Sequence, residues 1–98
     1  MRVRWSETAL ARVEDISAHI ALDDVAAALR WASRLFDLVD SQLRAFPDSG
    51  RIVPELGARE VRELVHGAYR VFYRVGDIVE VLTVRHASQL LRDDEVGD

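Results

Sequence analysis

The sequence predicts an α+β fold: a short N-terminal strand, a two-helix antiparallel hairpin, then a three-strand antiparallel meander forming a small curved sheet. Three observations lead there. A helical apolar stripe runs through residues 25–46, and three strand-like runs crowd together after residue 60. Between them lies Phe46-Pro47-Asp48-Ser49-Gly50, where proline and glycine block continuation of either element. Helices gathered before strands, rather than alternating with them, exclude a parallel α/β sheet.

Each element has a local cause. Arg2–Trp5 alternates basic and apolar residues, a strand signal. Ser6 offers its hydroxyl as an N-cap, with Glu7 in the first turn, where the helix dipole favours an acid. Leu10, Val13, Ile16 or Ser17, and Ile20 give the first helix an apolar face, and Leu22-Asp23-Asp24 breaks it and supplies a second N-cap. In the second helix, Val25, Ala28, Leu29, Ala32, Leu35, Phe36, Val39, Leu43 and Phe46 share one stripe, while Arg30, Arg34, Asp37 and Asp40 lie largely off it. So short a break makes the two helices pack antiparallel, with Ala28 and Ala32 permitting close approach. Residues 51–59 read as an irregular connection because Pro54 and Gly57 interrupt any pattern. Glu60–Val65, Tyr69–Val75 and Ile78–Arg85 are the strand candidates, joined by tight turns at His66-Gly67-Ala68 and Gly76-Asp77.

The 98 residues form a single expected domain, 1–98, with 93–98 a flexible acidic tail. With no cysteine there is no disulfide framework, thiolate nucleophile or Cys-ligated metal. No apolar run reaches the roughly 20 residues of a membrane span, and nothing near the start reads as a signal peptide, so a cytoplasmic protein without membrane partners is expected. All 13 basic residues are arginine, and their distribution matters more than the formal total of −4. Residues 1–50 carry −2, residues 51–92 carry +2, and the tail Asp93–Asp98 carries −4. The second half is therefore locally basic.

The candidate chemistry is sparse. There is no phosphate-binding glycine loop, no nucleophile elbow and no His-Glu-x-x-His pair, and His19, His66 and His86 are too scattered for a metal site; no cofactor is expected. His19 reads as a helix-surface residue and His66 as turn polarity. His86, closing the last strand beside Arg85, could act as a general acid or base near neutral pH, or simply bond a loop carbonyl. On the Tyr69–Val75 strand, Tyr69, Val71, Tyr73 and Val75 share one face, with Arg70, Phe72 and Arg74 on the other, and a neighbouring strand supplies Arg62. Such guanidiniums suit phosphates or a partner's acidic side chains, or else pair with Glu60, Glu63 and Glu80 as solvated surface charge.

The full set of segments, in this order, resembles the RelE/ParE superfamily of type II toxin–antitoxin toxins. It is carried by Trp5-Ser6-Glu7-Thr8-Ala9, by Phe46-Pro47-Asp48-Ser49-Gly50-Arg51, by Pro54-Glu55-Leu56-Gly57 and by Val61-Arg62-Glu63-Leu64. Gly67–Val75 (Gly-Ala-Tyr-Arg-Val-Phe-Tyr-Arg-Val) and Val81-Leu82-Thr83-Val84-Arg85-His86 complete it, so that about residues 2–91 are covered. The resemblance implies a toxin neutralised by a cognate antitoxin whose C-terminal segment wraps it, with the helical hairpin and sheet rim in contact. A homodimer or a hetero-oligomer with antitoxin is the expected assembly.

Two targets follow from the resemblance. ParE-like members inhibit DNA gyrase and block replication, whereas RelE-like members cut messenger RNA at the ribosome without a metal. For nuclease action the resemblance points to Arg70 for phosphate, His86 for proton transfer and Arg62 as a further cation, with Glu63 beside it. Beyond His86, Ala87-Ser88-Gln89-Leu90-Leu91 lacks the arginine and terminal tyrosine that many nuclease members carry, and Arg92 alone is basic. A site stabilising a transferring phosphodiester needs several fixed cations, and the sequence pI of about 5.3 opposes docking on RNA. A gyrase inhibitor rather than an enzyme is thus the leading expectation. The alternatives are a ribosome-dependent endoribonuclease or a degenerate, non-toxic relative. Arg62, Tyr69, Arg70, Arg74, Arg85 and His86 are the expected contacts to target or antitoxin.

Overall fold

A computed structural model describes residues 1–53 and 60–88. The elements run β1 (Val3–Trp5), α1 (Glu7–Ala21), α2 (Val25–Ala45), β2 (Arg51–Ile52), β3 (Arg62–His66), β4 (Tyr69–Val75) and β5 (Val79–His86). The expected irregular connection begins with β2, a strand paired to β3 through Arg51↔Glu63 and Ile52↔Arg62. Two residues are too few to show a periodicity, which is why the sequence hid them. The rest of that connection, 54–59 with Pro54 and Gly57, and the acidic tail 93–98 lie outside the described residues.

The sheet has five strands in the order β1-β5-β4-β3-β2. The meander β3-β4-β5 is antiparallel as expected, and β1 joins it parallel to β5, with Val3 opposite Val79 and Trp5 opposite Val81. The sheet bends where the β4–β5 register slips between Phe72 and Tyr73: Thr83 faces Phe72, Val81 faces Tyr73, and Leu82 is the extra residue. At the β3–β4 hairpin the strand extends through His66, so the turn shrinks to Gly67-Ala68, with Gly67 at φ +59°. That left-handed conformation is the reason for glycine there.

Both helix starts are capped as the sequence implies. Ser6 Oγ accepts from the Ala9 amide at 3.0 Å, and Asp24 Oδ1 accepts from the Ala27 amide at 3.1 Å. Ser6 also ties the helix to β5: its amide donates to Val81 O at 2.9 Å, and its hydroxyl to Leu82 O at 2.9 Å. One residue thus caps α1 and fixes it on the sheet.

The helices cover one sheet face, where Ala9, Val13, Leu35, Val39 and Leu43 meet Val71, Tyr73, Val79, Val81 and Val84. Burying each large aliphatic side chain contributes roughly 1.5–3 kcal/mol. Trp5 joins them edge-on to Phe36 at 4.6 Å between ring centroids, and its Nε1 donates to Asp40 Oδ1 at 2.9 Å. The opposite sheet face has its own buried cluster of Val53, Val61, Phe72 and Leu82. The helical stripe is narrower than its sequence suggests. Leu10, Val25, Leu29 and Phe46 are exposed, and Ala9 takes the buried place on α1. Apolar residues exceed what a two-layer contact can cover, and the surplus stays on the outer side of the hairpin.

Candidate functional site

The six expected contact residues do not form one site. Register divides them between the two faces of the sheet. Arg70, Arg74 and Arg85 lie with Phe72 on the face away from the helices, since Arg70 is opposite Arg85 and Arg74 is opposite Glu80. Arg62, Tyr69 and His86 lie on the helix-facing side, Arg62 opposite Tyr73 and Tyr69 opposite His86. The period-two reading of β4 was right, but it could not tell on which face a neighbouring strand would set Arg62.

Away from the helices, the centre of the arrangement is Glu63, whose side chain is only 3% exposed. Arg70 Nε donates to Glu63 Oε2 at 2.5 Å, and Arg51 Nε donates to the other carboxylate oxygen, Oε1. The Arg70 guanidinium also stands 4.7 Å over the Phe72 ring. A buried carboxylate is tolerable only when paired and hydrogen-bonded, and two arginines satisfy both of its oxygens. Glu80 repeats the pattern across the sheet, with Arg4 at 3.6 Å and Arg74 at 3.4 Å. The expected pairing of the sheet arginines with Glu63 and Glu80 is therefore present. Glu63, however, is buried rather than solvated.

On the helix-facing side Arg62 is equally committed. Its Nη1 donates to Gly50 O at 2.8 Å and Asp48 O at 3.2 Å, and its Nη2 donates to Glu60 Oε1 at 3.2 Å. Its Nε is buried without a hydrogen-bond partner among the described residues, with Asp48 Oδ1 at 3.9 Å. Beside it the Gly50 amide donates to the Tyr73 hydroxyl at 2.8 Å. Burial pushes the Tyr73 phenol above its usual value of 10; the Gly50 hydrogen bond and the Arg62 charge offset this in part. Arg62 thus braces the turn that leads from α2 into β2. Tyr73 was expected only as a face residue of β4, and no local spacing marks it as the buried end of this network.

At the far end of the same side, Tyr69 packs between Trp31, 5.2 Å away, and His86, 5.7 Å away and edge-on. His86 is exposed; the Ser88 amide donates to its Nδ1 at 3.2 Å, and Ser88 Oγ lies 2.7 Å from the same atom. An amide donor at Nδ1 makes that nitrogen the acceptor, so the neutral ring carries its proton on Nε2. Among the described residues no group of three or more His, Cys, Asp or Glu side chains could hold a metal. Nor is any described helix long and apolar enough to cross a membrane.

The model of the family described as "ParE toxin of type II toxin-antitoxin system, parDE" matches residues 3–91. The chain belongs to this family. A curated Sinorhizobium fredii protein named "Putative toxin Y4kP" is 41% identical over 88 residues, 90% of either chain. The fold of the toxin is also that of the chromosomal ParDE toxin–antitoxin system from P. aeruginosa, with a TM-score of 0.73 and 22% identity. That match covers 88% of this chain and 95% of the other. A chain of the RelBE2 toxin–antitoxin complex from Mycobacterium tuberculosis matches with a TM-score of 0.54 and 24% identity, over 90% of this chain and 92% of that one. The superfamily resemblance and the α+β fold are thereby established. The two solved structures come from differently named toxin systems, so the shared fold does not choose the target.

Proposed function

We propose that the toxin arrests growth in the cytoplasm by inhibiting DNA gyrase and that a cognate antitoxin neutralises it. The observation that carries the first half is the commitment of Arg70. This arginine, the best match to a phosphate-binding cation, is held by the buried carboxylate of Glu63. A cation already satisfied inside its own fold has little field left for a phosphodiester. Arg62 and His86, the other two nuclease candidates, stand on the opposite sheet face from Arg70. A protein target needs no such convergence. Purified toxin should abolish gyrase supercoiling, and unaffected supercoiling at saturating toxin sinks the reading.

One observation favours the endoribonuclease alternative. Tyr69 and His86 are in edge contact at the strand end, with Nε2–H of His86 as a proton donor. On that reading His86→Ala abolishes toxicity and A-site cleavage.

For the antitoxin, support comes from the outer side of the helical hairpin. Leu22, Val25, Leu29 and Leu38 are each more than half exposed, and an apolar cleft of about 300 Å³ between the helices is floored by Ala18, Ala21, Ala28 and Ala32. Apolar exposure of this kind suits an amphipathic segment laid into a groove. The toxin in this reading is stored as a hetero-oligomer with that antitoxin.

A further inference from the structure

We infer that the antitoxin segment filling the hairpin cleft is an amphipathic helix with two carboxylates one turn apart along one flank, and that Arg30 and Arg34 receive them. The inference rests on the reading above that the hairpin takes the antitoxin, and it adds the polar half of that contact. Beyond Leu29, α2 carries a second depression of about 340 Å³, lined by Leu29, Arg30, Ser33 and Arg34. Leu29 lines the apolar cleft as well, so the two hollows share one wall. A helix seated over Leu29, which is 69% exposed, meets both at once.

The charges are arranged across the cleft. Arg30 and Arg34 are exposed, and their guanidiniums make no ion pair or hydrogen bond among the described residues. Arg62 and Arg70, by contrast, are held by Glu60 and Glu63 of their own fold. Among the described residues no acid lines the depression, and Asp37, three residues beyond Arg34, stands outside it. On the α1 bank the cleft is bordered by the exposed Glu14. A helix lying over Leu29 therefore finds repulsion for an acid on its α1 side and attraction on its α2 side.

The spacing sets the form of the occupant. Side chains four apart on a helix stand about 5–6 Å from each other, so Arg30 and Arg34 match two carboxylates at i and i+4 of a second helix. The cleft runs from Ala21 and Val25 at the turn to Glu14 and Ala32, seven residues or roughly 10 Å along each helix. That length takes about two turns of an apolar stripe, and the alanines of the floor let it approach closely. A free phosphate has no apolar half to place in the cleft. A wholly apolar segment leaves both guanidiniums without a partner.

The test titrates two synthetic helical peptides of about sixteen residues into purified toxin by calorimetry. Both carry the same leucine stripe; one flank bears two glutamates four apart in the first peptide and two lysines in the second. Wild-type toxin should bind the glutamate peptide about tenfold or more tighter, and high salt should narrow the difference. Arg30→Glu with Arg34→Glu should reverse the preference, and Arg30→Gln with Arg34→Gln should erase it. Both positions are exposed, so these variants keep the fold, which thermal melting verifies. An unchanged preference in the Arg30→Glu/Arg34→Glu protein overturns the proposal. Leu29→Asp, titrated in parallel, separates the two readings. Equal binding of both peptides that Leu29→Asp still weakens refutes the charge pairing alone, whereas binding indifferent to Leu29→Asp refutes the cleft and the proposal with it.

Discussion

The Gly50 amide and the Tyr73 hydroxyl meet at 2.8 Å, a hydrogen bond that joins the exit from α2 to the centre of β4. The contact leaves no room for a side chain. A Cβ on Gly50 would lie 2.6 Å from the Tyr73 hydroxyl and 2.6 Å from the Glu63 carbonyl. Gly50→Ala is therefore expected to destabilise by about 1–3 kcal/mol through forced displacement of backbone. Tyr73→Phe is expected to cost a similar roughly 1–3 kcal/mol by orphaning the amide. Urea denaturation of both variants checks this; a wild-type midpoint for Gly50→Ala would mean that the turn is free to move.

The same tyrosine gives the fold an alkaline limit. Its phenol is raised above 10 in the folded state, chiefly by burial, so the native protein resists losing that proton while the unfolded chain does not. The contribution is fully present below pH 10 and is lost as pH rises through the folded value. Wild-type melting temperature should accordingly fall above pH 10, and Tyr73→Phe should show a flatter profile there. Parallel profiles for the two proteins would refute the assignment.

Glu63 and Arg51 should behave very differently although they are partners. Glu63→Gln removes a charge that is buried with Arg70, itself only 12% exposed, and is expected to cost about 3 kcal/mol. Arg51 is 63% exposed, and Arg51→Gln should cost about 1 kcal/mol or less, because Arg70 still pairs with the carboxylate. Chemical denaturation of the two variants separates them, and equal losses would place the stabilising pair elsewhere.

On the helical hairpin, Leu29→Asp should leave stability within about 0.5 kcal/mol of wild type, since Leu29 is 69% exposed. Antitoxin affinity should fall about tenfold or more as a charge enters the apolar cleft. Calorimetric titration with the antitoxin tests it; unchanged affinity would remove the hairpin from the interface.

For the target, His86→Ala is the cleanest discriminator because His86 is exposed and contributes little to the core. The RNA-cleavage reading expects A-site cleavage by the wild type that disappears in that variant, whereas the gyrase reading expects no cleavage by either protein, and cleavage lost with His86 would move the assignment to RNA.

Elements whose cause is local were legible in the sequence. Ser6 and Asp24 announced the helix starts, the Gly67 turn announced a hairpin, and Tyr69–Val75 matched its strand to the residue. What escaped was set by distant pairing. Nothing near Arg51 indicates that it opposes Glu63, and nothing near Arg62 indicates that it faces Tyr73 on the adjacent strand. The division of the candidate cations between two faces follows from cross-strand register. The alternation of β4 alone does not contain it.

The parallel pairing of β1 with β5 has a consequence for how the toxin comes into being. Val3 waits for Val79, and Ser6 waits for Val81 and Leu82, so the first strand and the anchor of α1 have no partners until the last strand has been made. Helices can form early because their contacts are local, whereas the sheet closes only over nearly the full length of the chain. A chain ending before Val79 has no partner for β1 and no anchor for Ser6, so the hairpin is seated on the sheet only when the last strand is in place.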